Sequence, residues 1–287
     1  MPNVYFVPEV RLIHCGKPIL VEWKHRNLSA PFWRLYWNRN PGASVVFDEH
    51  ETRLEPGKVF LIPPNTPFST RLSGRVEHFY IHFLVTPVSS AWVPGVYGLP
   101  ATKSVLNLVE SVSRQVAVSE TPGVPTVLKA MALISLMLAG LPEKWLVPIR
   151  LDSRVEEAMR LMDASLATPL SNERLARAVA MHPNAFIRLF RAQAGVSPQD
   201  CFRRKRIDHA CMRLHNSQAS IKQIAEESGF CDRYHFSRAF KHIRGLSPGS
   251  FRQQVHRTTK TQTRETQGVV RVKLTKKSRL VSSRDLA

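Results

Sequence analysis

Two stretches of this chain set charged and hydrogen-bonding side chains at matched helical spacing. In RYHFSRAFKHIR (233–244), Phe236, Ala239, Phe240 and Ile243 recur at i, i+3, i+4 and i+7, one apolar stripe of an α-helix. At about 100° per residue, Tyr234, Arg238 and Lys241 lie opposite that stripe, with Ser237, His235 and His242 on its flanks. In PNAFIRLFRAQA (183–194), Phe186, Leu189 and Phe190 face inward, Asn184, Arg188 and Arg191 face outward, and Ile187 sits to the side. The chemistry on offer is recognition rather than reaction. Arg forks onto guanine, Asn pairs with adenine, and a half-exposed Ile meets a thymine methyl.

The elements that must carry these faces form a repeat. LARAVAMHPNAFIRLFRAQAGVSP (175–198) aligns with IAEESGFCDRYHFSRAFKHIRGLSP (224–248), with a one-residue shift at the turn. Phe186 matches Phe236, Arg188 matches Arg238, and Phe190 matches Phe240. Each copy predicts helix, short turn, helix: the first from Asn172 to about Ala180 and then from Pro183, the second from a Ser220 cap to Gly229 and then from near Asp232. Gly195 and Gly245 stop the second helix of each copy. Between the copies, 197–216 predicts one helix of about 28 Å, a stiff spacer able to hold two reading helices about one DNA turn (~34 Å) apart.

Net charge supports an anionic partner. The 287 residues carry +19. Residues 257–287 hold nine Lys and Arg against two acids, and this tail reads as disordered, either a solubilising end or a non-specific DNA-binding arm. The four cysteines, Cys15, Cys201, Cys211 and Cys231, form no CxxC pair and suit reduced thiols in a cytoplasm. No membrane partner is expected: MPNVYFVPEV lacks the pattern of a secretory signal, and the most apolar run, 130–141, is too short to span a bilayer.

Upstream the period changes. Residues 1–100 read as short strands with Pro, Gly and Asn turns, a small barrel or sandwich. In HFYIHF (78–83), Phe79, Ile81 and Phe83 face one way; His78, Tyr80 and His82 face the other and line either a polar pocket or the barrel surface. His78 and His82 stand about 13 Å apart along a strand, too far for one ion without other ligands, so no metal and no cofactor is expected. Trp33 and Trp37 share another strand, where core packing is expected ahead of stacking on a sugar ring. Val105, Leu108, Val109, Val112 and Val116 form a helical stripe that fits a dimer contact or packing onto the barrel equally well, and a second apolar helix follows from about 126 to 140. Residues 141–152, with two prolines, read as a linker.

At Ile221, Ile224, Ala225, Gly229, Phe230, Phe236, Arg238, Phe240, Lys241, Gly245, Ser247, Pro248, Phe251 and Arg252, and in the spacer at Arg206, Ile207, Ala210 and Leu214, the chain resembles the AraC/XylS-type bacterial transcription regulators. It departs from their pattern at His182, Cys201, Arg213 and Cys231. The resemblance implies an α+β two-domain chain. Residues 1–140 would be a cupin-like β-barrel with following helices that senses an effector, and 153–255 an all-α domain of two helix-turn-helix units joined by a long helix. Carried over by position, base reading falls on Asn184, Ile187 and Arg188 and on Arg233, Tyr234, His235 and Arg238; Arg191, Ser237 and Lys241 share those faces. The partners it implies are double-stranded DNA, a small-molecule effector such as a sugar bound near His78, Tyr80 and His82, a second copy in a homodimer, and RNA polymerase. The alternative is a cupin-type metalloenzyme fused to a DNA-binding module, although the HxH-plus-Glu pattern of enzymatic cupins is missing.

Overall fold

The computed structural model describes residues 8–86, 92–118, 122–146 and 151–254. The basic tail lies outside the described residues. Among these residues nine strands come first: β1 (Glu9–Gly16), β2 (Ile19–Leu20), β3 (Trp33–Asn38), β4 (Ala43–Phe47), β5 (His50–Arg53), β6 (Lys58–Ile62), β7 (Ser69–Leu72), β8 (Val76–Thr86) and β9 (Tyr97–Pro100). Eight α-helices follow among the described residues: α1 (Lys103–Val118), α2 (Val124–Leu138), α3 (Ser153–Ala164), α4 (Asn172–Ala178), α5 (Pro183–Ala194), α6 (Pro198–Asn216), α7 (Ile221–Glu227) and α8 (Arg233–Arg244).

The strands do not close into a barrel. Six form one sheet in the order β1-β8-β3-β6-β9, with β2 on β8, and β5-β4-β7 form a second. Closure requires edge strands to pair across the gap, and among the described residues those two sheets share no ladder. They pack through Trp23, Tyr36, Val45, Phe60, Phe68 and Tyr80 instead.

Register explains how the large sheet serves two cores. β3 pairs β8 antiparallel, with Trp33 opposite Phe83, Leu35 opposite Ile81 and Trp37 opposite Phe79. That face is covered by Val105, Val109 and Val112 of α1 and by Leu133, Ile134 and Met137 of α2. Within the chain the α1 stripe therefore packs on the sheet. Leu141 and Trp145, inside the stretch read as linker, belong to the same core, because burying an indole removes far more apolar surface from water than a tether would. The other face carries Arg34 opposite His82, Tyr36 opposite Tyr80 and Asn38 opposite His78.

The helical part has two cores that share one strut. Leu175, Phe186 and Phe190 pack with Val155, Ala158 and Met162 of α3 and with Phe202 of α6. Ile224, Phe236, Phe240 and Phe251 pack with Ile207, Ala210, Cys211 and Leu214 of the same α6. One helix of 19 residues thus gives its first half to one unit and its second half to the other. Ala30 and Phe32, from the strand domain, complete the second core. All four cysteines are free. No helix among the described residues is long and apolar enough to cross a membrane.

Candidate nucleic-acid interface and the cavity behind it

Each helix pair is built the same way. Ser171 caps α4 by accepting from the Arg174 N–H at 3.2 Å, and Ser220 caps α7 by accepting from the Gln223 N–H at 3.1 Å. The turns close alike: the Met181 N–H donates to Ala176 O and the Phe230 N–H to Ala225 O, both at 2.9 Å. The left-handed residue in each turn is Ala180 (φ 52°) in the first unit and Gly229 (φ 75°) in the second. Phe186 and Phe190 meet edge to face at 5.7 Å, Phe236 and Phe240 at 5.6 Å. Gly195 (φ 72°) and Gly245 (φ 78°) end α5 and α8 in the left-handed conformation.

With both phenylalanine pairs buried, the opposite faces are left to water. Asn184, Arg188 and Arg191 on α5 are exposed and Ile187 is half-buried. Arg233, Tyr234, His235, Arg238 and Lys241 on α8 are exposed and Ser237 is half-buried. Tyr234 is 81% exposed, the most exposed of the large hydrophobic side chains among the described residues. The last turns of α5 and α8 converge on the start of α6. There Arg191, Arg203, Arg204 and His242, with Asp200 paired to Arg203, border an open cleft of about 320 Å³. The outward faces thus carry excess positive charge beside and between the two helices, suited to phosphates as well as bases.

His78, Tyr80 and His82 come together on the inner side. They are buried and line a cavity of about 50 Å³ between the strand domain and the helices. His78 Nδ1 lies 2.7 Å from Asn38 Oδ1, Tyr80 Oη 2.9 Å from His14 Nδ1, and His82 Nδ1 3.2 Å from His215 Nε2 at the end of α6. Burial holds His78 down at about 3, and burial with the charges of His215 and Arg34 holds His82 well below the usual imidazole range. Burial pushes the Tyr36 hydroxyl up to about 12 against the pull of Arg34, and raises Tyr80 as well. Among the described residues no three His, Cys, Asp or Glu side chains are grouped to hold a metal ion.

Residues 175–254 match a family model described as a helix-turn-helix domain. Over 93 residues the chain is 37% identical to the HTH-type transcriptional regulator GlxA of Rhizobium meliloti, a match covering 32% of this chain and 29% of that one. The C-terminal domain is an AraC-type helix-turn-helix domain. A fainter likeness runs further: the raffinose operon transcriptional regulatory protein RafR of Pediococcus pentosaceus is 23% identical over 247 residues, 81% of this chain and 88% of its own. In structure, ToxT of Vibrio cholerae bound to (E)-4-(8-methylnaphthalen-1-yl)but-3-enoic acid superposes with a TM-score of 0.54 at 13% identity, covering 85% of this chain and 100% of that one. That likeness extends to the fold of strand domain followed by helical domain. The chain spans about a third of the length of the first curated relatives it matches.

The AraC-type domain does not sit apart from the strands. Arg244 of α8 is buried, donating to Asn65 Oδ1 at 2.5 Å and pairing with Asp208 of α6. The Gln254 amide donates to Arg26 O at 3.1 Å. Arg34, Phe32 and His215, all lining the cavity, stand outside the residues that sequence pattern singled out, and Phe251, which also lines it, was singled out only as a motif residue of the helical domain. Arg34 did leave a signal, a charge in the middle of the apolar run FWRLYW (32–37). His215 left none, and nothing tied Phe251 to the cavity, because their relation to β3 and β8 exists only once the domains dock.

Proposed function

We propose that this chain is a sequence-specific DNA-binding transcription regulator that responds to a small effector, with α5 and α8 as its two recognition helices. The observation that carries the reading is the matched pair of helices, each locked inward by two phenylalanines and each presenting an arginine, Arg188 or Arg238, to solvent. Asn184, Ile187 and Arg188 read one half-site; Arg233, Tyr234, His235 and Arg238 read the other. Arg191, Ser237 and Lys241 hold phosphates or flank the bases. α6, of 19 residues or about 28 Å, spaces the helices for successive major grooves. The strand domain, related in plan to cupins, takes the effector in the cavity bordered by His78, Tyr80 and His82. That cavity touches the helical domain, so occupancy shifts the balance between two settings of it. The chain works in the cytoplasm as a homodimer, without enzymatic chemistry, and contacts RNA polymerase.

Selecting bound duplexes from a random pool tests this. The selected site should be preferred over random DNA at physiological salt by at least about 10³-fold. Arg238→Ala should weaken it by about 1–3 kcal/mol and relax preference at one base pair, with Arg188→Ala doing the same about one helical turn away. An equal loss on every sequence would remove the base-reading role.

A further inference from the structure

Arg34 is a buried cation without an acid to meet it. It stands mid-strand in β3, 2% exposed, with its guanidinium over the rings of Phe32 at 4.9 Å and Phe68 at 5.0 Å. Its Nη1 has no hydrogen-bond partner. Among the described residues no Asp or Glu lines the cavity that it borders, and Asp208, in the same seam, is bonded to Arg244. Ring faces offset part of the cost of burying such a charge, but a guanidinium stays charged and its planar fork is shaped for a carboxylate. The imidazoles around it cannot supply the missing negative charge. Burial keeps His78 and His82 neutral, so these two add no positive charge beside Arg34.

Size and lining narrow the ligand. About 50 Å³ takes a carboxylate head and a few carbons, and anything longer must part the seam. The walls are mainly aromatic, and a single guanidinium suits a monoanion better than a phosphate dianion, which calls for several donors. Arg34 and His82 come from the sheet; His215 comes from the last turn of α6 and Phe251 from beyond α8. A group seated there touches the strut that carries both helix-turn-helix units.

Resting on the reading of the chain as an effector-responsive regulator, we infer that the effector is a small organic carboxylate gripped by Arg34, and that its contact with His215 and Phe251 sets how tightly the second unit is held to the sheet. This replaces the sugar expected from resemblance with an acid.

The full chain is titrated with sodium acetate, butyrate and benzoate and with their neutral isosteres acetamide, butyramide and benzamide, at constant ionic strength, following the thermal midpoint and the heat of binding. At least one acid should bind 10-fold or more tightly than its own amide, and saturation with it should change the affinity for the selected duplex by 3-fold or more. Arg34→Gln should abolish the acid–amide difference, and Arg34→Lys should keep part of it. Equal behaviour of every acid and its amide overturns the proposal, as does undiminished acid binding by folded Arg34→Gln. If that variant does not fold, the wild-type comparison decides alone. Unchanged duplex affinity at saturation overturns the coupling. Loss of the acid preference with sequence preference intact would sink this inference and leave the regulator standing; acid binding without sequence preference would do the reverse.

Discussion

The two helix-turn-helix units share caps, turns and phenylalanine pairs but differ in what they lean on. The first closes its core with α3, through Val155, Ala158 and Met162. The second closes its core with Ala30 and Phe32 from the strand domain and anchors α8 by Arg244 to Asn65. One unit is thus packed by its own helical domain, and the other is finished by the part of the chain that holds the cavity. The repeat gives two similar helix pairs. The asymmetry gives the strand domain a hold on one of them.

The sharpest way to break this comparison is Phe32→Ala. Phe32 is almost fully buried, and truncating such a ring costs about 3–5 kcal/mol. The expected loss falls on the second unit: amide hydrogen exchange should rise in α7 and α8 while α4 and α5 keep their protection. An equal rise in both units would show that the seam does not distinguish them.

The turn residues should respond with opposite signs. A Cβ on Gly229 would strike the carbonyl of Leu166 and come within 2.7 Å of the Arg206 guanidinium, at a left-handed φ of 75°. Gly229→Ala should cost about 3 kcal/mol from strain and crowding together. Ala180 occupies the equivalent place at φ 52°, where a side chain is already strained by about 1 kcal/mol. Ala180→Gly relieves that, less the added freedom of glycine in the unfolded chain, so stability should hold level or rise slightly. Urea unfolding of the pair checks both signs, and two losses of similar size would make the turns equivalent after all.

Much of this was open to reading before any coordinates. The repeat was legible because helix period, proline starts and glycine stops are local, and the predicted stripe residues Phe186, Phe190, Phe236 and Phe240 are all buried. The alternation at 78–83 was legible too, but not what covers its polar side. His78, Tyr80 and His82 fit pocket or surface equally until His215, over 130 residues away, is brought onto them. Barrel closure and the burial of Trp145 escaped for the same reason. Both depend on which distant surface is left uncovered, and no window of sequence contains that.

Acid should separate the units again. Burial holds His14, His78 and His82 below the ordinary 6.5, and all three lie on the strand side of the seam. Below pH 6.5 the unfolded chain takes up protons that the folded chain refuses. The stability they contribute is therefore complete above 6.5 and is lost as pH falls, through about pH 3 for His78. Each imidazole adds a slope of about 1.4 kcal/mol per pH unit inside its window. Urea midpoints at pH 7.5 and 5 should fall steeply in the wild type and less so in His78→Gln; matching slopes would place the His78 proton elsewhere.

The smallest expected effect is at the start of α5 and α8. Asp232 caps α8, accepting from the His235 N–H at 2.7 Å, whereas His182 at the same place on α5 makes no side-chain cap bond. Pro183 removes one of the orphan N–H groups there, but those of Asn184 and Ala185 remain without a capping acceptor. His182 already has the extended backbone of a cap, φ −69° and ψ 139°, so a serine there needs no rearrangement to reach the Ala185 N–H. His182→Ser should add about 1 kcal/mol to the first unit. The matched change Asp232→Ala should remove about as much from the second, where the seam shares the load and protection in α7 should hold. If His182→Ser leaves exchange in α5 unchanged, solvent already satisfies that helix end, and the first unit is no weaker at its start than the second.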